Sequence, residues 1–589
     1  MLKKEIKVMK KDKGYKKLLS QLITYVKPHR SSFAWSVIFD LLAIGLNSTI
    51  PIFSGLTIDC LIGFGAVNFK LMYEYLCVIG LLTVASSLFS WLGSYFMNIL
   101  TYKTSQSIRN SLYAKLNSVP IKYIDNNSHG DIMNTMVSDV ENITDGFLEG
   151  FKSIVCGIFQ VITVMVMMLV LNWSLALIVI VLAPLSLVVA FQITKRSKKM
   201  YQLRVDTQGL ASGYGEEMIT NMKIIKAFNN EEATNEKFEE INNDLYKASE
   251  KSMFYASMAH PTSRLINGLL YGVVGVVGAI LALNGKIKIG KISSFLSYTD
   301  NFTKPFNDIT SIFADLNIAV ASANRVFNLL EEENEIDDSD LVNMKKCNGE
   351  VSLKNVKFSY DPAFKLIENL NLEVKQGQRV AIVGPTGCGK STIINLLMRF
   401  YDVNDGSIKV SGKDIRKVTR KSFRQFYGMV LQESWLYNAS IKDNVAYGKP
   451  DASMDEIIEA CKLAKAHAFI EKMPEGYDTI ITERADNISA GQKQLLCIAR
   501  IMLLKPPMMI LDEATSNIDT RTEMKIQEAL DVMMEGRTCF IVAHRLSTIE
   551  NADVILVMNK GNIVEQGTHK ELLEKGGFYF ELFNSQFGN

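Results

Sequence analysis

The chain changes character along its length. Before about residue 325 the apolar residues form long runs, and beyond about 345 they break into short strand-length and helix-length patches separated by Gly and Asp. A helix crossing the hydrocarbon needs about 20 mostly apolar residues. Five stretches satisfy this, near 33–62, 72–100, 150–171, 174–194 and 264–284, and a sixth near 291–317 is weaker. The opening "MLKKEIKVMKKDKGYKK" has no apolar core and the following "LLSQLITYV" is too short to span, which predicts a basic arm and a surface helix rather than a cleaved leader. Two long polar segments with helical spacing and many Lys and Arg follow the second and fourth spans, so both are expected in the cytoplasm. The remaining links, such as "LNW" and "NGKIKIGK", are short, although Lys286, Lys288 and Lys291 in the latter run against the charge rule. The pattern predicts six membrane helices with long cytoplasmic extensions and both termini inside, then a second domain of α/β type.

Composition agrees with a chain divided between lipid and water. Of 589 residues, 48% are hydrophobic and 21% charged, and the formal net charge of +2 offers no basic field for nucleic acid. The eight cysteines form no CxxC pair and are scattered, so neither a disulfide framework nor a zinc site is indicated and they read as reduced thiols.

The weak sixth span carries "YTDNFTKPFNDITSIF", with Asp300, Lys304 and Asp308 four residues apart on one helical face and Pro305 between them. Charges at this depth are costly, so the stripe should face protein or a watery cavity. Lysine neutralising its two neighbours and direct contact with cargo are both compatible with the spacing.

After the acidic "EEENEIDDSD", an apolar strand over 379–383 runs into "GPTGCGKST" and then a helix. Gly384, Pro385, Thr386, Gly387, Cys388, Gly389, Lys390 and Ser391 fit GxxxxGK[ST] in strand-loop-helix context, with Thr392 next along the helix. Glycines let backbone amides wrap phosphates, Lys390 reaches the outer pair, and the Ser391 hydroxyl suits Mg²⁺. A second apolar run, "MMILDE", ends in Asp512 and Glu513, where α/β sheets place ligands; Asp512 suits Mg²⁺ through water and Glu513 a general base. A third, "TCFIVAHRLST", delivers His544 to the same edge. Finally "ISAGQKQ" opens a helix at Ser489 with no proline or charge to mark the join, and a helix start left so bare usually faces an anion such as phosphate.

The order of these elements resembles the ATP-binding cassette exporters that fuse six spans to one cassette, and the likeness covers nearly the whole chain. Divided on that pattern, 1–327 is the membrane domain, 328–347 an acidic linker and 348–589 the nucleotide-binding domain. The resemblance implies ATP and Mg²⁺ as ligands. Its adenine-stacking aromatic matches Tyr360, its Mg²⁺-sensing glutamine Gln432, its signature loop Ser489, Gly491 and Gln492, its dimer-contact loop 516–519 and its switch histidine His544. The segments "LNSVPIKYIDNNSHGDIMNTMVSDV" and "EEMITNMKIIKAFNNEE" look like the two intracellular extensions whose tips dock on cassettes. The resemblance further implies a head-to-tail dimer in which Ser489 and Gly491 grip the γ-phosphate of the partner's ATP. Closure of that dimer turns the membrane half from inward-facing to outward-facing.

One position departs from the family pattern. Ala490 stands where glycine is expected, adding a methyl toward the nucleotide and, at a positive φ, strain; "TERAD", residues 482–486, replaces a "GERG"-like run. Intact catalytic residues with an altered signature are what one chain of an asymmetric heterodimer requires, so a second, different half-transporter is the expected partner. The implied activity is ATP-driven export of hydrophobic or amphipathic drug or lipid across a bacterial cytoplasmic membrane. The alternatives are a homodimeric lipid flippase or peptide exporter and an ATP-gated channel; a soluble cassette acting on DNA or ribosomes is excluded by the spans.

Overall fold

The computed structural model describes residues 13–61, 67–430, 434–482, 487–512, 519–542 and 546–587. The chain forms two compact units, one of residues 1–119 and 127–333 and one of 120–126 and 334–589.

The first unit is helical. Its main helices are α1 (Lys13–Val26), α2 (Arg30–Asn47), α3 (Ile50–Asp59), α4 (Phe69–Leu116), α5 (Gly150–Leu171), α6 (Trp173–Leu182), α7 (Pro184–Thr220), α8 (Glu231–Leu283) and α9 (Ile289–Glu331). Among the described residues, four stretches are long and apolar enough to cross a bilayer: Lys17–Asp59, Phe69–Leu116, His129–Leu171 and Arg264–Leu283. They overlap four of the expected spans, 33–62, 72–100, 150–171 and 264–284. The expected span over 174–194 divides between the short apolar α6 and the start of α7, and the sixth lies in α9, which is not among the four. Outward apolar side chains such as Val170 (80% exposed) and Leu283 (88%) are what a lipid-facing surface presents.

Helices α3 and α9 cross through small residues. A Cβ on Gly55 would strike the Gly290 carbonyl and one on Gly290 would strike that of Gly55, so both glycines are required by the approach of the backbones. Polar bonds seal the crossing: Asp59 Oδ1 accepts from the Gly290 amide at 2.7 Å, and Ser294 Oγ donates to the Pro51 carbonyl at 2.7 Å. The predicted surface helix is α1, where Leu18 and Leu22 are buried and the Lys17 ammonium and Gln21 amide both hold Glu331 at the end of α9. Between α4 and α5 the chain makes two π-helical turns, Thr135–Asp139 and Thr144–Glu149. Between α7 and α8 it turns through a short helix, Met222–Ala227, where Ile219, Ile224 and Phe228 are exposed.

The second unit holds two sheets. Strands β1 (Val351–Phe358), β2 (Ile367–Val374), β4 (Asp405–Val410) and β5 (Lys413–Asp414) form an antiparallel sheet in the order β2-β1-β4-β5. Strands β3 (Arg379–Val383), β6 (Tyr427–Val430), β7 (Met508–Asp512), β8 (Thr538–Val542), β9 (Val554–Asn559) and β10 (Asn562–Gly567) form a sheet ordered β10-β9-β3-β8-β7-β6, parallel except at β10. The continuous apolar runs of β3, β7 and β8 follow from burial on both faces. One face packs on the antiparallel sheet through residues such as Ile382, Ile510 and Phe540, and the other on Tyr579, Leu572 and a helical layer including α11 (Ala490–Leu504) and α12 (Thr520–Met534). The short helix Ile121–Asn126, from the first predicted extension, belongs to this unit.

Candidate functional site

Three strand ends share one edge of the parallel sheet. Ile382 of β3 pairs with Val542 of β8, and Val542 pairs with Asp512 of β7, so the loop after β3, the acidic end of β7 and the residues after β8 leave the sheet at one level. This is the carboxyl edge, where parallel α/β sheets hold ligands. Of the predicted site residues, Gln432, Glu513 and His544 lie outside the described residues, as do 483–486 and 516–518 of the flanking motifs. What is described is the cradle between them.

That cradle runs from Gly384 to α10 (Lys390–Leu397). Gly384, Gly387 and Gly389 have φ of 153°, 79° and 100°, which side chains rarely adopt, and a Cβ on Gly384 would also strike the Met558 carbonyl. Pro385 accepts from the Cys388 amide at 3.2 Å to close the turn, while the Cys388 carbonyl accepts from the Gly561 amide at 3.0 Å and ties the loop to the β9–β10 hairpin. The Cys388 thiol is buried, which pushes its pKa up, with the Lys390 charge acting the other way. The Lys390 ammonium donates to the Gly384 carbonyl at 2.8 Å and the Pro385 carbonyl at 3.2 Å, folding back over the loop. Thr386 and Ser391 are exposed and Thr392 is buried. The loop is therefore a concave run of backbone with one cation inside, a fit for a polyphosphate. The exposed Ser391 and the carboxylate of Asp512 are hard oxygen donors of the kind that would suit Mg²⁺.

Tyr360, the predicted adenine-stacking residue, follows β1 and keeps a partly exposed ring. Asn395 Nδ2 donates to its hydroxyl at 3.0 Å, fixing the ring to α10. Phe358 and Tyr401 pack edge-on against it with ring centres 4.9 Å away in each case. Nothing in the sequence marks Tyr401, because a lone aromatic after a helix carries no pattern.

At the signature segment one expectation is corrected and one condition is resolved. The start of α11 is not bare: Ser489 Oγ accepts from the Gln492 amide at 3.3 Å and Gln492 Oε1 accepts from the Ser489 amide at 2.8 Å, a reciprocal cap whose S-x-x-Q spacing was readable in the sequence. Ser489 and Gln492 thus satisfy each other, and the amides of Ala490 and Gly491 are the next first-turn donors for an anion. Nor is Ala490 strained: it sits in the first turn of α11 and is not among the residues with positive φ. Its methyl is simply exposed. At the far end of the dimer-contact loop, Asp519 caps α12 by accepting from the Thr522 amide at 2.9 Å.

A loop shaped for polyphosphate on a parallel sheet, in one chain with long apolar helices, fits an ATP-driven membrane transporter, and comparison with known proteins gives the family. Residues 33–306 match the family described as the ABC transporter transmembrane region and residues 367–516 the family described as ABC transporter. The chain is 37% identical over 516 residues to the fatty acid ABC transporter ATP-binding/permease protein of Mycobacterium tuberculosis, covering 88% of this chain and 82% of the relative. It is 32% identical over 574 residues to the ATP-dependent lipid A-core flippase of Syntrophus aciditrophicus, covering 97% and 94%. It is also 32% identical over 575 residues to a putative multidrug export ATP-binding/permease protein of Bacillus subtilis, covering 97% and 99%. The chain belongs to the ABC transporters, as an exporter half-transporter with its membrane region fused to its ATPase. It is a membrane protein that binds and hydrolyses ATP to drive export.

Proposed function

We propose that this chain is the catalytically intact half of a heterodimeric exporter in a bacterial cytoplasmic membrane, with six spans and both termini in the cytoplasm. Its cargo is a hydrophobic or amphipathic drug or lipid, consistent with the fatty acid, lipid A-core and multidrug designations of its relatives. The observation that carries the ATP site is the common edge shared by the Gly384–Ser391 loop and Asp512. Tyr360 stacks the base, the loop amides and Lys390 hold the phosphates, and Ser391, Asp512 and Gln432 hold Mg²⁺. That ion neutralises charge on the phosphates. Glu513 takes the proton of the attacking water and His544 positions the γ-phosphate.

The dimer reading rests on unsatisfied surface. The amides of Ala490 and Gly491 head a helix toward the partner's phosphate, and the apolar tip formed by Ile219, Ile224 and Phe228 seeks a partner's cassette. The exposed Ala490 methyl, in an ordinary helical backbone, weakens the grip by bulk alone.

In the membrane unit a cavity of about 930 Å³ supports amphipathic cargo, since Ile154, Ile158 and Ile312 line it together with Asp145, Asp308 and Asp315. Expression of this chain alone, with mass and ATPase measured in nanodiscs, tests the assembly. Activity that appears only with a second half-transporter is expected, and a homodimer exporting cargo unaided refutes it.

A further inference from the structure

The base-binding tyrosine is wired to a segment that leaves the cassette. Tyr360 and Tyr401 meet edge to face, centres 4.9 Å apart and planes at 90°, and Phe358 backs both, 4.9 Å from Tyr360 and 5.7 Å from Tyr401. The Tyr401 hydroxyl donates to Asp125 Oδ2 at 2.5 Å. Asp125 lies on the helix Ile121–Asn126, which packs within the cassette unit yet is continuous in the chain with Val119 and Asn127 of the helical unit. The far side of Tyr360 is held as well, by Asn395 at 3.0 Å and by its own long bond to Thr392 Oγ1 at 3.4 Å, both on the helix that starts at the phosphate loop. A purine stacked on Tyr360 therefore bears on a ring clamped between the phosphate-loop helix and Tyr401. The charge-assisted bond at the other end of Tyr401 is short and directional, so a shift of that ring is passed to Asp125 rather than lost in side-chain freedom.

We propose that Tyr401 is a positioning residue that couples base stacking on Tyr360 to the 120–126 segment through Asp125, making turnover depend on that one hydrogen bond. This rests on the reading of Tyr360 and the loop as the ATP site. Loss of the hydroxyl leaves the ring, its packing on Tyr360 and hence nucleotide affinity in place, and removes only the transmission.

The test uses the full chain in nanodiscs with whatever second half-transporter its activity requires, in five forms: wild type, Tyr401→Phe, Asp125→Ala, Asp125→Asn and the double variant Tyr401→Phe/Asp125→Ala. Tyr401→Phe is expected to keep KM for ATP within twofold and its melting temperature within a degree or two, while kcat falls fivefold or more. Asp125→Ala should match it, the double variant should be no worse than either single one, and Asp125→Asn, which retains an acceptor oxygen, should recover at least half the wild-type kcat. Wild-type kcat in Tyr401→Phe, a KM change that accounts for the loss, or additive losses in the double variant each overturn the proposal. Absence of ATP hydrolysis by the wild-type assembly overturns the ATP-site reading, and the proposal with it.

Discussion

Arg325 of α9 holds Asp139 with two nitrogens, Nε at 2.7 Å and Nη2 at 2.5 Å, and Ser322 Oγ adds a third donor at 2.8 Å. The pair is asymmetric, because the aspartate side chain is 1% exposed and the arginine 53%. The π-helical turn at Thr135–Asp139 places the carboxylate against α9, so the fold depends on the arginine more than the arginine depends on the fold. Arg325→Ala strands a buried carboxylate and is expected to cost about 1–3 kcal/mol. Asp139→Ala releases a guanidinium that already reaches water and should cost about 1 kcal/mol or less. Melting temperatures in detergent give the order, and the reverse order refutes it.

Glu513→Gln should leave ATP binding intact and reduce hydrolysis at the site built on this chain's loop by about 10²- to 10⁴-fold, since only the general base is lost. Phosphate release measured alongside nucleotide binding separates the two, and normal turnover removes Glu513 from the mechanism.

The charged stripe on α9 separates into two expectations. Lys304 pairs with Asp300 at 3.3 Å with both side chains more than half exposed on the protein surface rather than packed in its core, so Lys304→Ala should leave expression normal. Asp308 lines the cavity together with Asp145, Glu149 and Asp315. Asp308→Asn should therefore lower stimulation of the ATPase by a cationic amphiphile such as rhodamine 6G by severalfold more than it lowers the basal rate. Equal loss of both argues against a cargo role.

Ala490→Gly should raise turnover at the site that takes the partner's ATP without changing the site built on this chain's own loop. The gain comes from removing a methyl, since the backbone is unstrained. It should also cost up to about 1 kcal/mol of helix stability. Single-turnover hydrolysis in the assembled dimer reads the first effect and a melting curve the second; an unchanged rate removes Ala490 as a determinant of asymmetry.

Much of the site was legible because its chemistry is local. Gly384 to Ser391 must be contiguous to wrap a phosphate, so spacing alone revealed the loop, and the apolar runs ending at Asp512 and before His544 announced buried parallel strands. The cap at Ser489 is equally local: the S-x-x-Q spacing puts the Gln492 side chain within reach of the Ser489 amide, so the helix start that looks bare of proline and charge is closed by its own side chains. The condition for strain at Ala490, a positive φ, is of a different kind and is not met. A backbone angle is set by the turn in which the residue lies, and letters do not report φ.

The sequence by itself determined the division into a lipid-facing half and an aqueous half, the phosphate loop and the order of the motifs, because hydrophobic run length and contiguous loop chemistry are properties of short segments. Only the tertiary structure decided that Ile382, Val542 and Asp512 stand in one row, that Gly55 and Gly290 let two helices touch, that Asp139 is clasped by Arg325, and that helix 121–126 sits with the cassette at Tyr401. Each of these joins residues tens to hundreds of positions apart. Their meeting depends on strand order, helix crossing and burial, which are fixed by the packing of the whole unit and leave no periodic trace in any single stretch of chain.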